Sequence, residues 1–276
     1  ILVEAVKWGN KEIKHIRVMY NSDPSTKVDI AWSSPGGTVF SNVLYLSEKD
    51  HGTNLNNYEI RKSADRITNY RSIKSAITSI SNLKPSTKYY FVIANNEKGY
   101  VSKRYWFKTT SNKNSVPLYV VAGGDSRNNR VVRRKSNILV KKLNVDAVFF
   151  GGDFTVRGWK DQWLNWLDDW SFTYGDDGRI TPIVATRGNH EYSPLSLELL
   201  FNGPKGMYYD VGFNGGLLNL YVLNTEISMG GKQLEWLKES IKKTKDHSFN
   251  MAIYHRSVRP HTSGKREGWQ QYRFWA

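Results

Sequence analysis

Four short segments carry side chains able to ligate a metal ion, each directly after an apolar run. They hold Asp125 in Gly-Gly-Asp-Ser-Arg, Asp153 in Gly-Gly-Asp-Phe-Thr, Asn189 and His190 in Arg-Gly-Asn-His-Glu, and His255 in Ile-Tyr-His-Arg-Ser. Carboxylate, amide and imidazole groups form a mixed donor set for a cation such as Mn, Zn, Fe or Mg, an ion that activates water and neutralises charge developing on oxygen. The chain has no cysteine, which excludes a disulfide scaffold, a zinc ribbon, an iron–sulfur cluster and a thiol nucleophile. Any metal must therefore bind through His, Asp, Glu and Asn. The glycines before Asp125, Asp153 and Asn189 let the backbone turn sharply and bring a short side chain close to an ion.

Elements must gather these residues, because they are spread from position 125 to position 255. From about residue 117 onward, apolar runs (VPLYVVAGG, VDAVFFGGD, TPIVATRGN, LLNLYVLNTE, FNMAIYHRS) alternate with amphipathic stretches (NILVKKL, WKDQWLNWLDDW, KQLEWLKESI), the pattern of an α/β layered domain. In an open α/β sheet the C-terminal strand ends meet in one crevice, so the four segments are expected to converge. Trp159, Trp163, Trp166 and Trp170 recur at helical spacing and read as a core-packing stripe rather than an aromatic binding platform. Before the polar linker SNKNSVP the pattern is different. Short β-type runs (KVDIAW, NVLYL, KYYFVIA, RYWFKTT) between turn clusters predict an all-β sandwich. Trp32 and the segment Leu83-Lys-Pro-Ser-Thr-Lys-Tyr89 resemble the buried Trp and tyrosine corner of fibronectin type III modules. The expected domains are 1–112 and 117–276.

Lys and Arg number 40 against 25 Asp and Glu among 276 residues, a formal charge of +15 that favours anionic partners. The basic residues are scattered and no nucleic-acid recognition motif appears, so sequence-specific nucleic-acid binding is not expected. No apolar run is long enough to span a membrane. The start on Ile1 reads like a processed chain, and the aromatic ending QQYRFWA like an element still in progress, so further chain is expected after Ala276.

These motifs, in this order, resemble the calcineurin-like metallophosphoesterases, and particularly the purple acid phosphatases, in which a fibronectin-like domain precedes the catalytic one. The resemblance implies an αββα sandwich and hydrolysis of phosphate esters, phosphomonoesters first, by a metal-bound hydroxide at a dinuclear site. It implies that Asp125 binds one ion, Asp153 bridges two, Asn189 and His255 bind the second, and His190 faces the phosphoryl group as acid or hydrogen-bond donor. It also implies export to the periplasm, cell surface or extracellular space.

The chain departs from that family at three places. Arg127 stands where many members have the His of Asp-x-His. Val156 stands where the purple enzymes have a metal-binding Tyr, so the protein is not expected to be purple. The closing Gly-His-x-His motif is missing, and the α/β domain is expected to be incomplete at its C-terminus. Arg127, Arg187 and His261 are candidate contacts for substrate phosphate. A phosphodiesterase on the same scaffold is one alternative. The other is a catalytically degenerate exported protein that binds a polyanion, and Arg127 and the missing motif keep it in play.

Overall fold

A computed structural model describes residues 13–33, 41–95, 97, 99–257 and 273–274. In the first part of the chain, alternating side chains build nine strands: β1 (Lys14–Met19), β2 (Val28–Ser33), β3 (Asn42–Ser47), β4 (Ile60–Ser63), β5 (Arg66–Tyr70), β6 (Ile73–Ile80), β7 (Lys88–Asn95), β8 (Tyr100–Val101) and β9 (Tyr105–Lys108). On β2, Val28, Ile30 and Trp32 are buried in the core, and Ala31 and Ser33, which alternate with them, are buried too. One layer has the order β1-β2-β6-β5 and the other β4-β3-β7-β8, with β9 also pairing β7. The Tyr89 hydroxyl accepts a hydrogen bond from the backbone N–H of Lys84 at 2.8 Å. That is the corner contact the Leu83–Tyr89 segment predicts.

The second part continues with β10 (Val120–Gly123), α1 (Arg130–Leu143), β11 (Ala147–Phe150), α2 (Lys160–Trp170), β12 (Ile183–Ala185), α3 (Leu195–Leu200), β13 (Tyr209–Phe213), β14 (Leu218–Val222), α4 (Lys232–Lys243) and β15 (Phe249–Ile253). Strands β10, β11 and β12 run parallel, with Gly123 beside Phe150 and Phe150 beside Ala185. Their C-terminal ends are therefore flush. A second sheet, β13-β14-β15, faces them through Phe149 and Phe213, whose ring centroids lie 5.4 Å apart. Leu237 of α4 packs with Tyr221 of β14 and with Leu223 just after it. Helices outside two facing sheets give the expected αββα arrangement.

Trp163, Trp166 and Trp170 are buried as the helical stripe predicts, but Trp159 is exposed. It is the residue that caps α2 rather than part of the packed face, and the Arg157 guanidinium lies over its ring.

The two parts are joined more closely than a linker implies. Strand β1 pairs in parallel with β12 at Met19 and Ile183, and Tyr20 N donates to Ile183 O at 3.1 Å. A single seven-stranded sheet, β10-β11-β12-β1-β2-β6-β5, thus runs through both. Pairing with β1 covers an edge of β12 that would otherwise leave backbone polar groups unpaired. One contiguous core runs from Ile16 and Trp32 to Phe149 and Phe213.

At this seam Arg17, fully buried, donates from Nε to Leu200 O at 2.9 Å, and its other nitrogens reach His15 O and the Ser75 hydroxyl. Burial pushes its pKa down to about 10. His15 and Asp168 meet beside it at 2.9 Å.

Candidate metal centre

The flush ends of β10, β11 and β12 deliver Asp125, Asp153 and Asn189 to one rim, and the end of β15 delivers His255. Two glycines permit the approach. Gly152 has φ +90°, and a Cβ there would lie 2.5 Å from Gly188 N; a Cβ on Gly188 would lie 2.2 Å from the Asp153 carboxylate. Neither position can carry a side chain without moving the loop that holds the ligand candidates.

Asp153 is completely buried. Its Oδ1 accepts from His190 N at 2.9 Å and stands 3.3 Å from His255 Nε2. His255 Nε2 is also 3.0 Å from Asn189 Oδ1, while His255 Nδ1 lies 2.8 Å from Gly151 O. A carbonyl oxygen can only accept, so Nδ1 carries the proton of that bond. The lone pair of neutral Nε2 then faces two oxygens. Positive charge among them, either a proton on the ring or a metal ion, turns this contact of a lone pair with two oxygens from repulsive to attractive. Burial acts against a charged His255, yet the neighbouring Asp153 and the Gly151 carbonyl outweigh it and raise its pKa. Burial likewise opposes ionisation of Asp153, but bonds from His255 and from the His190 backbone hold its pKa below the usual carboxylate range.

Asp153 Oδ2 accepts no hydrogen bond among the described residues. The Arg127 guanidinium comes within 3.0 Å of it without the alignment of a hydrogen bond. Asp153 Oδ1, an amide oxygen and an imidazole lone pair form a donor set that fits a cation at the Asp153, Asn189 and His255 position, while the orphaned Oδ2 turns to the Asp125 side. At the Asp125 side the fit is different. Arg127 Nε donates to Asp125 Oδ1, and the guanidinium fills the gap between Asp125 and Asp153. No group of three or more His, Asp or Glu side chains stands at metal-holding spacing among the described residues. The third member of the cluster is the Asn189 amide.

His190 turns its Nδ1 to Val156 O at 2.5 Å, which leaves Nε2 towards the cleft, 3.8 Å from Asp153 Oδ2. Arg187 is buried and donates to Glu191 O at 3.2 Å, so it braces the Gly188–Glu191 loop from within. His261 lies outside the described residues.

Glu191, the last residue of Arg-Gly-Asn-His-Glu, has a part that the motif alone does not give. Its buried carboxylate accepts from the backbone N–H groups of Gly188 (2.9 Å), Asp153 (2.9 Å) and Phe154 (2.8 Å). Burial pushes its pKa up to about 7, and the N–H groups of Gly188, Asp153 and Phe154 hold it from rising further. The available signal was an acidic residue three positions after a glycine that no side chain can replace. Asp169 was missed as well. It is buried under Arg130, Arg133 and Arg134, ties α2 to α1, and so fixes the turn carrying Arg127.

Comparison with known proteins identifies the family and the fold. Residues 121–273 match the calcineurin-like phosphoesterase family, and residues 13–109 match the N-terminal domain of purple acid phosphatase. No curated protein matches the chain in sequence. Among solved structures, that of PhoD superposes with a TM-score of 0.61 at 13% identity, over 86% of this chain and 61% of PhoD, so the chain spans about three fifths of that relative. The sensor domain of the anti-sigma factor RsgI4 from Pseudobacteroides cellulosolvens matches 37% of the chain at 23% identity, covering 97% of that domain, with a TM-score of 0.26. Three fibronectin domains of chicken CNTN1 match 43% of the chain at 21% identity, covering 39% of that structure, with a TM-score of 0.24. The strand-end cluster, the two facing sheets and the family match over more than half of the residues lead to one conclusion: the chain belongs to the calcineurin-like phosphoesterases and carries an N-terminal domain of the purple acid phosphatase kind.

Proposed function

We propose that the protein hydrolyses phosphate esters, phosphomonoesters before diesters, at a metal site built on Asp153, Asn189 and His255. The observation that carries this reading is that Asp153 Oδ1 and Asn189 Oδ1 both lie within 3.3 Å of His255 Nε2, with the Nδ1 proton committed to Gly151. When bound, a divalent ion supplies an acidified water and offsets charge growing on the phosphoryl oxygens. The chain supplies the rest. Gly151 O fixes the His255 tautomer. Glu191 fixes the backbone on which Asp153 sits, and Asp153, buried and ionised, supplies the charge that retains the cation. His190 holds or yields a proton at Nε2, the ring nitrogen not engaged by Val156, and can pass it to the departing ester oxygen. No covalent intermediate with a side chain is needed.

Asp125 and Asp153 lie to either side of the Arg127 guanidinium, which offers a phosphate a charged, partly exposed donor. The purple-acid-phosphatase-type N-terminal domain supports action outside the cytoplasm, with the sandwich flanking the substrate cleft. A second reading, a polyanion-binding protein without turnover, is favoured by the guanidinium standing where a second ion would otherwise sit. Release of p-nitrophenol from its phosphate monoester, with manganese, zinc or iron supplied, tests the proposal. Activity lost in Asp153→Asn supports hydrolysis, and an inert wild-type chain that still binds polyphosphate favours the second reading.

A further inference from the structure

The two oxygens of Asp153 face different halves of the site. Oδ1 belongs to the half with Asn189 and His255, and Oδ2 to the half with Asp125. In the second half the two carboxylates are bridged by the Arg127 guanidinium, through Nε to Asp125 and Nη2 to Asp153. This contact is built in by the backbone. Arg127 adopts φ +37°, its N–H donates to Asp153 O at 3.1 Å, and its carbonyl accepts from Arg133 Nη1. Arg133 is in turn held by Asp169 at 2.6 Å. The turn is tied to β11 on one side and to α1 and α2 on the other, so the side chain is delivered to the gap.

A guanidinium has five donors, no lone pair and a permanent charge, so it cannot ligate a metal and cannot lose its charge to make room for one. An ion on Asp153 Oδ2 would sit about 2.1 Å from that oxygen, while Arg127 Nη2 already stands 3.0 Å from the same atom. The two cations would be in near contact. With Arg127 in place, the carboxylate pair is already neutralised to the extent one positive charge allows.

Resting on the reading of the site as a metal-dependent phosphoesterase, we propose that Arg127 replaces one cation of the pair: the site takes a single metal ion, at Asp153, Asn189 and His255, and the guanidinium serves the other half. Among the described residues Arg127 Nη1 donates no hydrogen bond, and the side chain is 42% exposed. Nη1 is therefore the donor offered to a phosphoryl oxygen.

The test is metal stoichiometry and phosphate affinity of the folded protein, with manganese and inorganic phosphate as probes. Elemental analysis after loading and desalting is predicted to give one manganese per wild-type chain and one per Arg127→Lys chain, which keeps the charge. Arg127→His, which offers a lone pair and can be neutral, is predicted to give two. Phosphate binding to the manganese-loaded protein is predicted to weaken by roughly tenfold in Arg127→Ala. Two ions per wild-type chain would overturn the inference and leave the hydrolase reading standing, as would a single ion in Arg127→His with unchanged thermal stability. No ion in the wild type would overturn the metal reading itself, and with it this inference.

Discussion

The backbone N–H of Asp153 and the carboxylate of Glu191, 38 positions apart in the chain, are joined by a buried hydrogen bond of 2.9 Å. Glu191 takes the N–H of Gly188 at the same distance, so a single carboxylate sets the spacing between the loop that carries Asp153 and the loop that carries Asn189 and His190. A glutamine has one acceptor oxygen and would turn an amide N–H₂ towards N–H donors. Glu191→Gln is expected to lower stability by about 2–4 kcal/mol, read by chemical denaturation. It is also expected to weaken manganese binding at least tenfold, because an outer hydrogen bond orients the ligands.

Gly188 allows the ligand loops to touch. Its missing Cβ would stand 2.2 Å from Asp153 Oδ1, so Gly188→Ala must displace the carboxylate or the loop. Loss of manganese binding by about 100-fold is expected with a stability change of about 1–3 kcal/mol, a cost typical of local overpacking. Calorimetric titration beside thermal melting separates the two effects.

The seam between the sandwich and the α/β layers depends on the Arg17 guanidinium, which is met by Leu200 O, His15 O and Ser75 Oγ and pairs with no carboxylate among the described residues. Arg17→Met removes the donor to Leu200 O and leaves that buried carbonyl without this bond. The expected loss is about 2–4 kcal/mol. Because the sheet is continuous through β1 and β12, the wild type is expected to melt in one transition and Arg17→Met in two. Differential scanning calorimetry decides between these outcomes.

His15 and Asp168 give the same seam a pH dependence. Burial lowers the pKa of His15 below its unfolded value of 6.5, against the pull of Asp168, and the hydrogen bond from His15 lowers that of Asp168 below 3.8. Both folded values lie below the unfolded ones, so on acidification the unfolded chain takes up protons first. Stability from His15 is full above about pH 6.5 and is lost as the pH falls through its depressed folded value; that from Asp168 follows below pH 4. Glu191 and His255, whose folded pKa values are raised, act in the opposite sense over pH 7 to pH 5, so His15 is read as a difference: on acidification the wild-type melting temperature is expected to change more unfavourably than that of His15→Gln.

Much of this was legible in the sequence. The apolar runs ending in Asp125, Asp153, Asn189 and His255 are strand ends, and the alternation of runs with amphipathic stretches marked the layers that bring them together. Trp32 and Tyr89 announced the sandwich. What could not be read depends on partners distant in sequence. KHIRVM carries no local sign that β1 pairs with β12, nor that Arg17 in its middle is buried against the Leu200 carbonyl of α3. Arg127 was noticed only as a departure from a motif. Its contact with both carboxylates follows from a left-handed turn pinned by Arg133 and Asp169, and no spacing rule gives that. Trp159 fell on the tryptophan stripe but sits one step before the helix that would have buried it.

At the proposed metal site, His255 Nε2 faces a cation together with Asp153 and Asn189. Pulsed electron paramagnetic resonance of the manganese-loaded protein tests it directly, because a coordinated imidazole gives a nitrogen modulation in the manganese echo. One such histidine nitrogen is expected, retained in His190→Ala and absent in His255→Ala. A manganese signal without nitrogen coupling in the wild type, or coupling that survives in His255→Ala, would contradict it.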